Sequence, residues 1–199
     1  MTLSWENLEK AIKSCQGCAL YAGCTQKVPG QGNRKAPLML IGEGPGEVED
    51  REGLAFVGPA GQLLTRMLKA IGLEREQVFI CNIVKCRPPH NRQPLPEEAE
   101  ACKGFLRAQT ALVRPRVILL LGATAARNTL GDEIRITRDR GKWFEGKGVW
   151  MMPTYHPSAL LRDPGKKREA WEDLKRVRAK LTELDRYREA LDGRENGGV

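Results

Sequence analysis

Four groups of side chains in this chain have types and spacings that chemistry can use. The first is a set of thiols: Cys15 and Cys18 form a Cys-x-x-Cys pair, and further cysteines stand at 24, 81, 86 and 102. Such thiols are either ordinary small buried side chains or soft metal ligands. A zinc ribbon would need a second Cys-x-x-Cys pair. Cys86 and Cys102 are instead separated by fifteen residues, a scatter that iron–sulfur centres tolerate. The second group is Glu43, Glu47, Glu49 and Asp50, set among Gly42, Gly44 and Gly46. The glycines invite comparison with a dinucleotide fingerprint, but the following helical pattern starts too late for one, and clustered carboxylates are a poor phosphate cradle. The third is Asn82 within ICNIVKC. A carboxamide in an apolar run needs partners. It either caps a neighbouring turn or faces a cleft, where one amide can read a base edge with two hydrogen bonds. The fourth is His156, one of two histidines, followed by Pro157. An imidazole at a strand end is either a structural group or a donor and proton carrier.

The elements that position these groups follow from hydrophobic patterning. Trp5, Leu8 and Ile12 share one helical face that runs into Cys15, and residues 19–36 read as loop. LMLIG (38–42), VFICNIV (78–84), VILLLG (117–122) and VWMMPTYH (149–156) read as strands. GEGPGEVEDREGLAFVGPAG reads as a long loop, and GQLLTRMLKAIG as a helix stopped at Gly72. RPPHNRQPLP is a stiff proline loop, after which Pro96, Glu97 and Glu98 open a helix. A short helix covers Ala123 to Leu130. A last long helix carries Trp171, Leu174, Val177, Leu181 and Leu184 on one stripe, and 192–199 read as a frayed tail. Alternating strands and helices predict a parallel sheet covered on both faces, with ligands beyond the C-terminal strand ends. Glu43, Asn82 and His156 all fall at those ends.

The 199 residues suit one domain with a full core. No apolar run approaches membrane-spanning length, and the charged N-terminus has no signal core, so a cytoplasmic location is expected. Cysteines in such a compartment are not expected to form disulfides. The net charge of +8 fits a polyanionic partner such as nucleic acid without requiring one.

GEGPGEVEDREGLAFVGPAGQLL, starting at Gly42, resembles the first motif of the family-4 uracil-DNA glycosylases. NIVKCRPPHNRQPLPEE, starting at Asn82, resembles their second motif with its adjoining loop, and YHPSALLR, ending at Arg162, their third. The likeness runs from Cys15 to about Arg162. It implies a three-layer α/β/α fold with a central four-stranded parallel sheet, as a single domain over 1–199. It implies a monomeric, monofunctional enzyme that releases uracil from single- or double-stranded DNA and leaves an abasic site.

The resemblance also implies roles. Cys15, Cys18, Cys86 and Cys102 match the ligands of a [4Fe–4S] cluster, with Cys24 and Cys81 outside the pattern. Phe56 matches the residue that stacks on uracil, Asn82 the one that bonds O4 and N3–H, and Glu49 the one that crowds C5. His156 matches the donor to O2, with the backbone of Gly42, Glu43 and Gly44 opposite. The best-known uracil-excising relatives carry an aspartate where this chain has Gly44, which leaves Glu43 and Asn91 as candidates to position the attacking water. Leu160 falls where a wedge would enter the base stack, or else is core. Arg135, Arg138, Arg140, Lys142 and Arg162 are candidate phosphate contacts. The alternative is a non-catalytic or covalent uracil-DNA-binding iron–sulfur protein, with His90 as the residue to watch.

Overall fold

A computed structural model describes residues 3–195, with side chains described to residue 186. The chain begins with helix α1 (Trp5–Lys13), capped by Ser4 accepting the Asn7 N–H. Six strands form one sheet: β1 (Gln31–Gly32), β2 (Leu38–Gly42), β3 (Phe79–Asn82), β4 (Val117–Leu121), β5 (Phe144–Gly146) and β6 (Val149–Thr154). Their order is β1-β3-β2-β4-β6-β5. The central four are parallel, as expected, and correspond to the four apolar runs. The sheet as a whole is mixed, because β1 and β5 pair antiparallel on the two edges.

The helices are α2 (Glu47–Glu52), α3 (Pro59–Ala70), α4 (Pro96–Val113), α5 (Ala123–Leu130), α6 (Ile136–Asp139), α7 (Pro157–Arg162) and α8 (Lys167–Glu195). Strand residues alternate between two cores. Leu38, Leu40, Ile80, Val117, Leu119 and Met152 pack with Leu64 and Leu68 of α3 and Leu174, Val177 and Leu181 of α8. Met39, Ile41, Phe79, Cys81, Ile118 and Leu120 pack on the other face with Ala99 and Cys102 of α4 and Ala125 and Ala126 of α5. That alternation is the period of a pleated strand buried on both sides, and it makes three layers.

Several expectations change. Helix α2 and strand β1 form inside stretches read as loop. Helix α8 continues through Glu195, beyond the expected tail start at 192, while 196–199 lie outside the described residues. Trp171 is exposed rather than part of the buried stripe, because Ala170 takes the core position in register with Leu174, Val177 and Leu181. Among the described residues no helix is long and apolar enough to cross a membrane.

Candidate active site

The C-terminal strand ends open into a cleft of about 670 Å3. Register sets its floor. Gly42 is the direct neighbour of Asn82 across β2 and β3. A Cβ at 42 would stand 2.4 Å from Phe56 Cζ and 2.5 Å from Asn82 Oδ1, so only glycine lets the ring and the carboxamide close over the strand end. Gly42 lies beneath the cleft, whereas Glu43, Gly44, Glu49, Phe56, Asn82, Asn91 and His156 line it. Gly44 is less tightly confined: a Cβ there would come within 2.9 Å of Val84 Cγ2, with its next neighbour, Pro88 Cδ, at 3.5 Å.

Phe56 is held in a left-handed backbone conformation, φ 54°. A phenylalanine there is strained by about 1–3 kcal/mol, so the surroundings must impose it. Two features do. Glu49 Oε1 accepts the N–H groups of Val57 (2.9 Å) and Gly58 (2.8 Å). Gly61 lets α3 approach so closely that a Cβ would fall 1.8 Å from the Phe56 carbonyl oxygen. The Glu49 carboxylate therefore braces the Phe56 loop while its side chain lines the cleft.

Asn82 is 1% exposed, yet its Oδ1 has no hydrogen-bond partner. A buried acceptor left open costs about 1–3 kcal/mol, and here it belongs to a side chain that lines the cleft. His156 caps α7: its Nδ1 accepts the Ser158 N–H at 3.1 Å and meets Ser158 Oγ at 2.8 Å. With Nδ1 as acceptor, the neutral ring carries its proton on Nε2. Burial and then the Arg162 charge lower the His156 pKa to about 4, so the ring is neutral at physiological pH. Its centroid lies 5.6 Å from that of Phe56, with the planes tilted by 35°.

Burial raises the pKa of Glu43, while the hydroxyl of Thr124 and the charge of Arg162 pull it back. Thr124 Oγ1 donates directly to Glu43 Oε2. Asn91 also has a left-handed backbone, φ 55°, and its Oδ1 accepts from Arg87 Nε at 2.8 Å. His90 is exposed and does not line the cleft.

Leu160 is corrected. It is 1% exposed and packs with Leu63, Tyr155 and Ala170, so it is core and cannot enter a base stack. Leu161, 42% exposed, lines the cleft instead. Of the basic candidates, Arg162 lines the cleft. Arg140 is tied to Asp173, while Arg138 and Lys142 are paired with Asp139. Arg135 donates to the carbonyls of Asp132 and Ile134.

The thiols gather on the α4 face of the sheet. Cys86 and Cys102 are buried there, with Cys18 and Cys24 packed against the same core. Burial, Cys24 and Cys102 all push the Cys86 thiol up. Cys102 is raised by burial and by nearby Cys18 and Cys15, and lowered by the Lys85 backbone N–H. Gly17 N–H donates to Cys15 Sγ at 3.4 Å. Among the described residues no group of His, Cys, Asp or Glu could hold a single metal ion. A four-iron cluster gives each thiolate its own iron and so suits more widely spaced donors, and amide hydrogen bonds to sulfur are part of such sites. The four cysteines Cys15, Cys18, Cys86 and Cys102 fit that donor set.

A family model described as the uracil DNA glycosylase superfamily matches residues 29–175, which span the whole cleft. This chain belongs to that superfamily. Among uracil DNA glycosylases it is similar to the type-4 enzyme of Sulfurisphaera tokodaii, 43% identical over 92% of this chain and 88% of that one. It is 48% identical to the type-4 enzyme of Thermotoga maritima, over 79% of this chain and 83% of the other. A type-5 enzyme of Pyrobaculum aerophilum is more distant, 33% identical over 70% and 69%. The sequence motifs pointed to Glu43, Asn82 and His156. They gave no signal for Thr124, which lies in a short helix of unremarkable composition. Lys85 did leave a trace, as a lone charge inside the apolar run NIVKC.

Proposed function

We propose that this protein hydrolyses the N-glycosidic bond of deoxyuridine in DNA, releasing uracil and leaving an abasic site. The observation that carries the reading is one cleft in which an unpartnered Asn82 carboxamide, a neutral Nε2-protonated His156 and the Phe56 ring come together. Uracil presents N3–H to the open Oδ1 and O4 to the amide N–H. Cytosine presents a bare nitrogen and an amino group at those positions and leaves both unmatched, the kind of mismatch that discriminates strongly. The flipped base stacks on Phe56. Glu49 contributes to rejecting thymine by keeping the braced Phe56 loop from yielding to a methyl group.

As the C1′–N1 bond breaks, its electron pair passes to the uracil ring and charge builds on O2. The Nε2–H of His156 donates to that oxygen, and a preorganised donor of this kind is worth about 3–4 kcal/mol. A neutral donor suits this step, because it stabilises the departing anion without protonating it. Glu43 orients a water toward C1′ and takes its proton as the new C–O bond forms, a task that a raised carboxyl pKa favours. Asn91, held by Arg87, assists on the rim. Leu161 replaces Leu160 as the wedge, and Arg162 takes a backbone phosphate.

Cys15, Cys18, Cys86 and Cys102 would hold a [4Fe–4S] cluster, which would tie together the segment after α1, the loop after β3 and α4 without entering the reaction. The protein works as a single cytoplasmic domain and as a monomer, on single- or double-stranded DNA. The test is alkaline cleavage of a uracil-containing oligonucleotide beside thymine and cytosine controls. Cleavage at uracil alone, with free uracil released, is expected. A DNA–protein band that survives SDS would replace the enzyme with a covalent binder.

A further inference from the structure

Lys85 is the largest fully buried side chain among the described residues, at 1% exposure. Among those residues no carboxylate lies within ion-pair distance of it. Its Nζ donates to the backbone carbonyl of Asn82 at 2.6 Å and to Gln109 Oε1 at 2.7 Å. Gln109 is itself fully buried, and its Nε2 donates to the Pro29 carbonyl at 2.5 Å. The Lys85 carbonyl accepts the Val28 N–H at 2.7 Å. Its backbone N–H faces the Cys102 thiol, and Cys86 is its chain neighbour.

Burying a lysine amino group is an expensive way to fill space, since a methionine of similar volume would carry no such desolvation cost. What the amino group adds is geometry. Asn82 is the last residue of β3; beyond it the Ile83 and Val84 N–H groups still donate to the Gly42 and Glu43 carbonyls at 2.9 and 3.2 Å, while the Asn82 carbonyl turns to Lys85. The carbonyl bond to Lys85 fixes the backbone of Asn82 while its carboxamide Oδ1 stays free in the cleft. We infer that Lys85, relayed through Gln109, is a positioning residue that aims the Asn82 carboxamide and joins that strand end to the cysteine-bearing segments. The inference rests on Asn82 reading the uracil edge, as proposed above.

A double-mutant cycle tests it on the full, cluster-loaded protein. Single-turnover excision is measured for wild type, Lys85→Met, Asn82→Ala and the double variant, with iron content and visible absorbance followed in each. Lys85→Met is expected to slow excision about 30-fold when Asn82 is present, and less than about threefold in the Asn82→Ala background. Iron content should stay at the wild-type level. Gln109→Leu, which leaves Lys85 in place but removes its relay, should show the same dependence on Asn82 with a smaller loss. It decides the matter if Lys85→Met does not fold. Equal losses in both backgrounds, or a folded Lys85→Met that excises at the wild-type rate, would overturn the positioning role. Wild-type protein that leaves uracil DNA intact would instead overturn the glycosylase reading on which the role depends.

Discussion

Two buried polar sites stand at strand ends on opposite sides of the sheet, and they are built on opposite terms. At the end of β6, Asp173 is fully buried and accepts from Thr154 Oγ1 at 2.7 Å, Arg140 Nε at 2.9 Å and Arg140 Nη2 at 2.5 Å. Arg140 also donates to the Glu169 carbonyl at 2.6 Å. At the end of β3, Asn82 is just as deep, yet its side-chain oxygen is unmatched. The first site is complete within the chain and ties α8 to the sheet. The second is incomplete until a molecule with a matching edge arrives. Burial alone therefore does not mark a functional group, nor does an unanswered atom alone, since Arg116 Nη1 and Thr129 Oγ1 are also buried without a partner but line no cleft; Asn82 combines both with a place in the cleft.

The contrast can be broken at either end. The largest effect belongs to Asp173→Ala, which strands the Arg140 charge and should cost about 3–5 kcal/mol. Thermal melting should fall by about 10 °C, while excision at a temperature where the variant is folded stays near wild type. His156→Ala should do the reverse, lowering single-turnover excision by about 10²–10³-fold with little change in melting. Asn82→Leu should lower excision by about 100-fold, and because it removes an unpaired acceptor its melting temperature should hold or rise. A melting loss as large as that of Asp173→Ala would erase the distinction between the two sites.

Smaller effects sharpen it. Thr124→Val removes a bond that lowers the Glu43 pKa. In the proposed role the working form of Glu43 is the carboxylate, so the acid limb of the rate profile should move to higher pH. The last effect concerns stability and is confined to acid pH. Below its ordinary value of 6.5 the unfolded chain protonates His156, whereas the folded chain keeps it neutral down to about 4. Stability should drain away as pH falls through that window, and His156→Gln should flatten the melting-versus-pH curve there.

The four parallel strands were legible because each is a short apolar run buried on both faces. The edge strands were not: β1 has two residues and β5 three, and they exist only through their neighbours. Helix α2 hid inside a glycine- and proline-rich stretch, where composition speaks for loop. Asn82 could be picked out as a polar residue in an apolar run, and His156 as one of two histidines, placed at a strand end. The phase of α7 could not, since six residues carry too little periodicity to say which of Leu160 and Leu161 faces inward. Lys85 was not singled out: it is a lone charge in an apolar run, but its partner Gln109 lies far along the chain and only tertiary structure joins them.

The crowding over Gly44 bears on how such an enzyme can change over time. Val84 is fully buried and stiff at χ1, and its Cγ2 already occupies the space a side chain at 44 would need. An acidic side chain introduced there is expected to press on Val84 Cγ2 and shift it. Trimming Val84 to alanine first opens the way. On the role proposed for Glu43, moving the water-holding carboxylate from position 43 to 44 has a preferred order of steps, with Val84 trimmed first.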